Sequence, residues 1–346
     1  MYLPAMLTLT FVIPGCQSLG PVQLPRDRSA YGEAIAASWR EQMLLNVIKL
    51  RYHDTPVYLD ISSVISSYSL EGELSLGGTV YPRAPESSSR TLGARGFYSE
   101  SPTVSYVPLA GERLVNTLLR PIPPQTVFGL VMGGARADFL LRATVQSING
   151  IQNESTSVAR RKRSDPRFDQ LRESLSRIAD AGALSLRLES KGERSEAWLG
   201  FHEHEELSDD ILRVKTLLRL DPALEEYRLI FGAGRHAPNE IAVLTRSLQS
   251  LTGDLAAGVE VPAEDVDDGR ASATPPDAGK NRLLRIRSGI ERPADALVAV
   301  RYRDRWFWID DRDRDSKRTF MFLLMFSALV ESGTVPQGPL LTIPAR

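Results

Sequence analysis

The pattern of hydrophobic and polar positions changes repeatedly between helical and strand spacing. Apolar residues recur every three or four positions over residues 29–52, which predicts an amphipathic helix. Every second residue is then apolar in the segments 57–61, 68–81 and 103–107, which predicts strands, with the paired glycines near residue 78 as turns. A loop dense in Pro, Ser, Gly and Arg is expected over 82–96.

The second half of the chain alternates in the same way. Asp165 followed by Pro166 predicts the start of a helix, and Asn239 predicts the cap of another that runs to Leu255. The remaining predicted elements are helices at 112–120, 126–148, from Ser208 and at 315–331, hairpins over 184–201 and 297–309, and a strand at 283–287. Because strands cluster as hairpins and helices follow in groups, the predicted class is α+β, with antiparallel hairpins packed against amphipathic helices, rather than doubly wound α/β.

Two polar stretches predict how the chain is divided. Residues 154–164 include four consecutive cations, Arg160 to Arg163, and residues 261–281 have no apolar period, which favours a linker without regular structure. The four cations are either a contact for anionic lipid headgroups or a solvated linker. The expected regions are an N-terminal α+β domain at 29–155, a middle α+β region at 165–260, the linker at 261–281, and a C-terminal hairpin and helix block at 282–346 packed on the middle region.

The helix at 315–331 is apolar around most of its circumference, although its unbroken apolar run is too short to span a bilayer. One face of a sheet cannot bury the whole apolar surface of this helix. We expect it to lie between the hairpin bearing Trp306 and Trp308 and another helix, namely the one predicted at 239–255. Phe322 and Phe326, one helical turn apart, should both be buried.

Composition excludes some classes of function. Lys and Arg number 42 against 43 Asp and Glu, so the chain lacks the basic excess typical of a protein that binds nucleic acid through phosphate contacts. Its one cysteine, Cys16, excludes intramolecular disulfides and metal sites built from several cysteines. No cofactor is expected, because dinucleotide, P-loop, nucleophile-elbow and metalloprotease motifs are all absent.

The residues before Cys16 form an apolar run with the length of a signal-peptide core, too short for a spanning helix. The segment Ile13-Pro14-Gly15-Cys16 resembles the lipobox of bacterial lipoprotein precursors, with Pro14 as an unusual middle residue. The resemblance implies a signal peptide at 1–15, a tether at 16–28, acyl chains on Cys16 that attach the chain to a membrane, and, from Gln17, the periplasmic face of the outer membrane. The alternative is a buried apolar element whose cysteine is incidental.

A short run of histidines and acids is the candidate metal site. If Phe201 to Glu206 continued a strand, His202, His204 and Glu206 would share one face and could bind zinc or another divalent cation. The alternative is an exposed acidic turn before the helix at Ser208, whose positive end favours carboxylates.

A second acidic run imitates a calcium loop. Asp311, Asp313 and Asp315 match its first ligands, but Ser316 and Phe322 stand where the loop requires Gly and Glu. We interpret these acids as neighbours of a helix N-terminus, paired with the intervening arginines.

These observations predict a non-enzymatic, lipid-anchored component of the bacterial cell envelope that binds or scaffolds another envelope protein. The alternative is a periplasmic metal-dependent hydrolase that uses His202 and His204.

Overall fold

The computed structural model of the chain describes residues 19–79, 89–156, 163–191, 194–274 and 282–331. The predicted signal peptide, Cys16 and residues 160–162 lie outside them. Within these ranges the strands form a six-stranded mixed sheet, a three-stranded antiparallel sheet and a two-stranded hairpin, with helices packed around the two larger sheets. The predicted α+β class is confirmed.

The described helices are α1 (Leu19–Arg51), α2 (Gly111–Leu114, continued by a π-helical turn at Val115–Leu119), α3 (Pro124–Met132), α4 (Ala137–Thr144), α5 (Pro166–Asp180), α6 (Ser208–Leu218, preceded by a 3-10 turn at Glu205–Leu207), α7 (Leu248–Ala256), α8 (Ala263–Asp267) and α9 (Arg314–Glu331). The described strands are β1 (Leu59–Thr79), β2 (Ser89–Pro108), β3 (Val145–Ile148), β4 (Ile151–Gln152), β5 (Leu184–Lys191), β6 (Arg194–Phe201), β7 (Glu226–Phe231), β8 (Glu240–Thr245), β9 (Arg287–Gly289), β10 (Ala296–Tyr302) and β11 (Arg305–Asp310).

The six-stranded sheet has the order β4-β3-β8-β7-β6-β5, and β7 and β8 are its parallel pair. Strand β3 precedes the expected boundary at 155–165, yet it pairs with β8, for example through Val145 opposite Thr245. The sheet therefore joins the regions predicted as the N-terminal and middle domains. The three-stranded sheet, in the order β10-β11-β9, belongs to the C-terminal block.

The prediction of a helix that begins at Asn239 was wrong. Residues 240–245 form β8, and α7 begins only at Leu248, where the Ser247 hydroxyl accepts a hydrogen bond from the Ser250 amide at 3.2 Å. Strand β8 lies between two other strands and is buried along most of its length, so its residues are apolar without alternation. Such a run cannot be distinguished from a helix by spacing alone.

The helix predicted at 126–148 is also divided. It consists of α3, α4 and β3, and the chain turns between the two helices at Gly133 and Gly134. Gly134 has a φ of +93°, a conformation that side chains with a Cβ rarely adopt. By contrast, the predicted cap at Asp165 is confirmed, since its carboxylate accepts a hydrogen bond from the Arg167 amide.

Part of the predicted linker at 261–281 is ordered, contrary to expectation. Residues 263–267 form α8, and the buried Asp265 accepts a 2.7 Å hydrogen bond from the Tyr52 hydroxyl and pairs with Arg270. The Arg51 guanidinium donates to the carbonyls of Ser272 and Ala273. Polar contacts with the end of α1 fix this segment, and such contacts leave no periodic apolar pattern in a sequence. Residues 275–281 lie outside the described ranges.

Helix α9 confirms the prediction for the C-terminal block in part. Phe322 and Phe326 are both buried, and α9 packs against β11, α1 and α7. The buried residues of the hairpin, however, are Val298 and Val300 of β10 and Phe307 and Ile309 of β11, while Trp306 and Trp308 are only half-buried. Successive strand residues point to opposite faces, so the tryptophans lie on the side away from the core.

Helix α1 begins at Leu19, well before the predicted start at residue 29, and so includes most of the expected tether at 16–28. Pro21 and Pro25 had argued against a helix there. Pro21 falls in the first turn, where the backbone N–H has no intrahelical partner to lose. Pro25 costs one intrahelical hydrogen bond.

Candidate functional site

Strands β1 and β2 form a long hairpin that extends from the body. Their antiparallel register runs from Leu59 opposite Pro108 to Thr79 opposite Ser89. At about 3.3 Å per residue the ladder is roughly 65 Å long. The expected turns at Gly77 and Gly78 lie inside β1, and the loop expected over 82–96 overlaps the start of β2. Residues 80–88 are outside the described ranges.

The register places apolar positions opposite apolar positions on one face of the hairpin. Leu70 pairs with Tyr98, Leu74 with Ala94 and Leu76 with Leu92. On the other face Ser67 pairs with Ser101, Ser69 with Ser99 and Glu73 with Arg95. The exceptions are Ser66, Arg90 and Glu100 on the first face and Ile65 and Phe97 on the second. A continuous period of two on both sides of the tip was the sequence signal that the prediction of separate short strands missed.

Among the described elements, β1 and β2 pack substantially only against each other. Phe97 and Val104 are exposed, as expected for a hairpin that projects into its surroundings. Each strand therefore has an outer edge whose backbone N–H and C=O groups have no strand partner within the described residues. Such an edge is a template for pairing with another strand, and two strands alone are marginally stable in water.

Two side-chain amides of α1 attach the root of this hairpin to the body. Asn46 donates to the Val57 carbonyl at 2.8 Å and accepts from the Val57 amide at 2.9 Å. With its amide nitrogen facing the Leu59 carbonyl, Gln42 makes the same pair of bonds to Leu59 at 3.2 and 3.0 Å. Four helical residues rise by about 6 Å and two strand residues by about 6.6 Å, so amides at this spacing match alternate residues of an extended chain. We call these two side chains the amide clasp.

An apolar groove of about 300 Å³ lies beside the amide clasp, between α1, α9 and the root of the hairpin. Trp39, Met321 and Met325 line it and are 44%, 53% and 58% exposed. Its deeper lining includes the buried Met43 and Leu118. Exposed methionines and a tryptophan around a recess are typical of a surface that receives an apolar partner.

Two polar groups in this groove have no partner within the described residues. Arg40 is the one charged residue of the lining, and no ion pair or hydrogen bond engages its guanidinium there. The Tyr58 hydroxyl is buried without a hydrogen-bond partner, and burial raises the pKa of this phenol to about 12. The hydroxyl oxygen is shielded from solvent, so it lies behind the groove surface, and Arg40 is the polar group that a ligand in the groove would meet.

The residues of the predicted metal site are not brought together. Strand β6 ends at Phe201, so the alternation that would have aligned His202 with His204 does not extend to them. His202, His204 and Glu206 are exposed, and Glu206 lies in the 3-10 turn before α6. Within the described ranges, no group of three His, Cys, Asp or Glu side chains is arranged to hold a metal ion. The geometry is that of the acidic turn before a helix.

The second acidic run is the start of α9. The Asp313 carboxylate accepts hydrogen bonds from the Ser316 amide and hydroxyl, at 3.1 and 2.8 Å. Asp311 pairs with Lys317, and Asp315 with Arg318. The interpretation of these acids as neighbours of a helix N-terminus is confirmed, but Asp311 and Asp315 do not pair with the intervening arginines, and Arg312 instead pairs with Asp295.

The body also contains a buried ion pair, whose role is structural. The Arg246 Nε lies 3.0 Å from the Asp254 carboxylate, and the two side chains are 3% and 5% exposed. Arg246 further donates to the carbonyls of Arg142, Ala143 and Glu154, and the Ser155 hydroxyl donates to Asp254. This fully bonded pair connects α7 to the segment around β3 and β4.

Comparison with known proteins gives no relative: no family model, no curated protein and no solved structure matches the chain. Every helix within the described ranges falls short of the length and apolarity required to cross a membrane. The hairpin, its amide clasp and the adjoining groove are therefore the candidate functional site on the strength of their geometry alone.

Proposed function

We propose that this protein is a lipid-anchored scaffold of the bacterial cell envelope, and that copies of it associate through the edges of their hairpins. The observation that supports this function is the hairpin itself: two long strands, paired only with each other among the described strands, extend from an otherwise well-packed body. The backbone groups along such an edge form a ready template for pairing with another strand.

A second copy of the chain is the partner best matched to these edges. Identical hairpins present identical alternation, so pairing them edge to edge extends both the apolar face and the serine-rich face. Adding strands also brings the assembly past the two-stranded limit at which a hairpin is marginal. Most soluble oligomers are likewise built from identical chains.

The proposed anchor is Cys16, three residues before the first residue of α1. The resemblance of residues 13–16 to a lipobox supports this part of the proposal. Lipid anchoring would confine copies to one surface and raise their effective concentration, which favours weak edge-to-edge association.

A shortened hairpin tests the proposal. Replacing residues 64–104 by Asn-Gly joins Ser63 to Ser105, which face each other in the register, through a two-residue turn of the type that hairpins favour. Full-length protein extracted from membranes in mild detergent should cross-link into oligomers, and the shortened variant should remain monomeric. Cross-linking of the shortened variant to the same extent would contradict the proposal.

Two matched variants distinguish the contribution of the apolar face from that of the serine-rich face. Leu70→Ser with Leu74→Ser should reduce cross-linking, because it interrupts the apolar face that the assembly extends, whereas Ser67→Thr with Ser69→Thr should retain it. Cys16→Ser tests the anchor separately: the variant should lose acylation, as measured by mass spectrometry, and leave the membrane fraction.

A further inference from the structure

We infer that the apolar groove beside the amide clasp binds a single-chain anionic amphiphile of the fatty-acid class. Its alkyl chain lies along Trp39, Met43, Met321 and Met325, and its carboxylate is bound by Arg40. This site is separate from the hairpin edges and does not depend on the proposed assembly.

The size of the groove fits one alkyl chain. A volume of about 300 Å³ lies at the lower end of the range for small-molecule sites. A ligand with a single alkyl chain is smaller than a phospholipid with two long chains and is the better match for a site at this lower end.

The lining favours a flexible apolar ligand. Methionine side chains are unbranched and polarizable, so Met43, Met321 and Met325 can adjust to an alkyl chain in more than one conformation. Met321 and Met325 are one turn apart on α9, and both are exposed although they adjoin the groove. A ligand that covers them removes apolar surface from water, which is favourable in proportion to the area buried.

The positive charge of Arg40 favours a ligand with an anionic head group. Arg40 is the one charged residue of the lining, and it makes no ion pair within the described ranges. A guanidinium binds a carboxylate through two parallel hydrogen bonds, whereas a cationic amphiphile would be repelled. A neutral alkane would leave the Arg40 guanidinium without a partner.

The test uses isothermal titration of the purified, delipidated full-length chain with dodecanoate. Dodecanoate should bind with one-to-one stoichiometry, and Arg40→Gln should weaken binding about tenfold or more, as expected for the loss of a charge-assisted hydrogen bond. Arg40→Lys should retain part of the affinity, and Arg312→Gln, a change at an exposed arginine elsewhere, should leave binding unchanged.

A second variant tests the groove independently of the charge. Ala328 lies on the exposed side of α9 and lines the groove, so Ala328→Trp should fill the groove and abolish binding without changing the melting midpoint. The inference is overturned if dodecanoate fails to bind the unmodified chain. It is equally overturned if dodecyltrimethylammonium binds as tightly as dodecanoate, or if Arg40→Gln and Ala328→Trp bind normally, because those results describe adsorption to apolar surface.

Discussion

The body and the hairpin satisfy their backbone and side-chain polar groups in opposite ways. In the body, even a buried guanidinium, that of Arg246, has a carboxylate and three carbonyls as partners. In the hairpin, the outer edges of β1 and β2 have no partner strand among the described elements. The strands of the body are paired into its two sheets, while the hairpin has the hydrogen-bonding capacity of an incomplete sheet.

Because of this difference, we expect the body to determine the stability of the fold and the hairpin to determine the association of copies. The body is stabilised by contacts between residues distant in sequence, such as Tyr52 with Asp265. Among the described elements, the strands of the hairpin make substantial contacts only with each other. Substitutions in the body should therefore change the free energy of unfolding, and substitutions in the hairpin should change how copies interact.

The largest expected effect is that of Asp254→Ala. Removing this carboxylate leaves the Arg246 charge buried without its counter-ion, and breaking such a pair typically costs about 3–5 kcal/mol. Urea unfolding should show this loss.

Two controls qualify this result. Asp295→Ala, which removes an exposed partner of Arg312, should cost less than about 1 kcal/mol. Arg246→Met combined with Asp254→Leu should recover most of the lost stability. A cost for Asp254→Ala as small as that for Asp295→Ala would mean that the pair is not buried in solution.

The next effect is that of Tyr52→Phe. It removes the hydroxyl that donates to Asp265 at 2.7 Å, and a hydrogen bond to a charged group is worth about 1.5–3 kcal/mol. Thermal unfolding should show a lower midpoint, and limited proteolysis should cut near α8 sooner than in the unmodified chain. Tyr106→Phe, at an exposed tyrosine, is the matched control. An unchanged cleavage rate near α8 would show that other contacts fix this segment.

A smaller, pH-dependent effect is expected at Asp210. The Arg177 guanidinium, with the Ser174 hydroxyl, lowers the pKa of Asp210 to about 2. Because this value is below that of an unfolded chain, ~3.9, the stabilisation is present above about pH 4 and is lost as the pH falls towards 2. Arg177 is half exposed, so the interaction should be worth less than about 1 kcal/mol at pH 7.

Measuring unfolding at several pH values from 7 to 2.5 checks this prediction. Asp210→Asn should flatten the decline in stability between pH 4 and pH 2.5, whereas Asp209→Asn, at the exposed neighbouring position, should follow the unmodified chain. If the curve for Asp210→Asn declines as steeply as that of the unmodified chain, the Arg177 pair does not contribute.

The smallest expected effect on stability is that of the shortened hairpin. Because β1 and β2 pack substantially only with each other among the described elements, replacing residues 64–104 by Asn-Gly should change the free energy of unfolding of the body by no more than about 0.5 kcal/mol. Differential scanning calorimetry checks this. A clear drop in the midpoint would show that the hairpin and the body unfold together.

The sequence predicted those elements whose signal is local. The cap at Asp165, the hairpin of β10 and β11 and the burial of Phe322 and Phe326 all followed from residue type and spacing. Prediction from the sequence failed where contacts between distant parts of the chain determine the local structure. Strand β8 is apolar along its length because of its neighbours on both sides, and α8 is fixed by hydrogen bonds that reach it from Tyr52 and Arg51.

Only part of the candidate site could be predicted. The alternation of β1 and β2 is visible in the sequence, but its continuity across the tip depends on a register that spacing does not specify. The groove depends on the approach of Trp39, Tyr58 and Met325, which are far apart in the chain. The histidine run, in contrast, was conspicuous in the sequence and lies in an exposed turn.

The amide clasp has a mechanical consequence. Asn46 faces Val57 and Gln42 faces Leu59, so the start of β1 runs antiparallel to α1 and heads towards its N-terminal end. A force applied to α1 along the helix axis acts parallel to this contact. It therefore loads the hydrogen bonds of both side-chain amides at the same time. Bonds loaded together in shear resist far more force than bonds that open one after another. The joint between α1 and the hairpin should therefore resist tension that acts along the axis of α1.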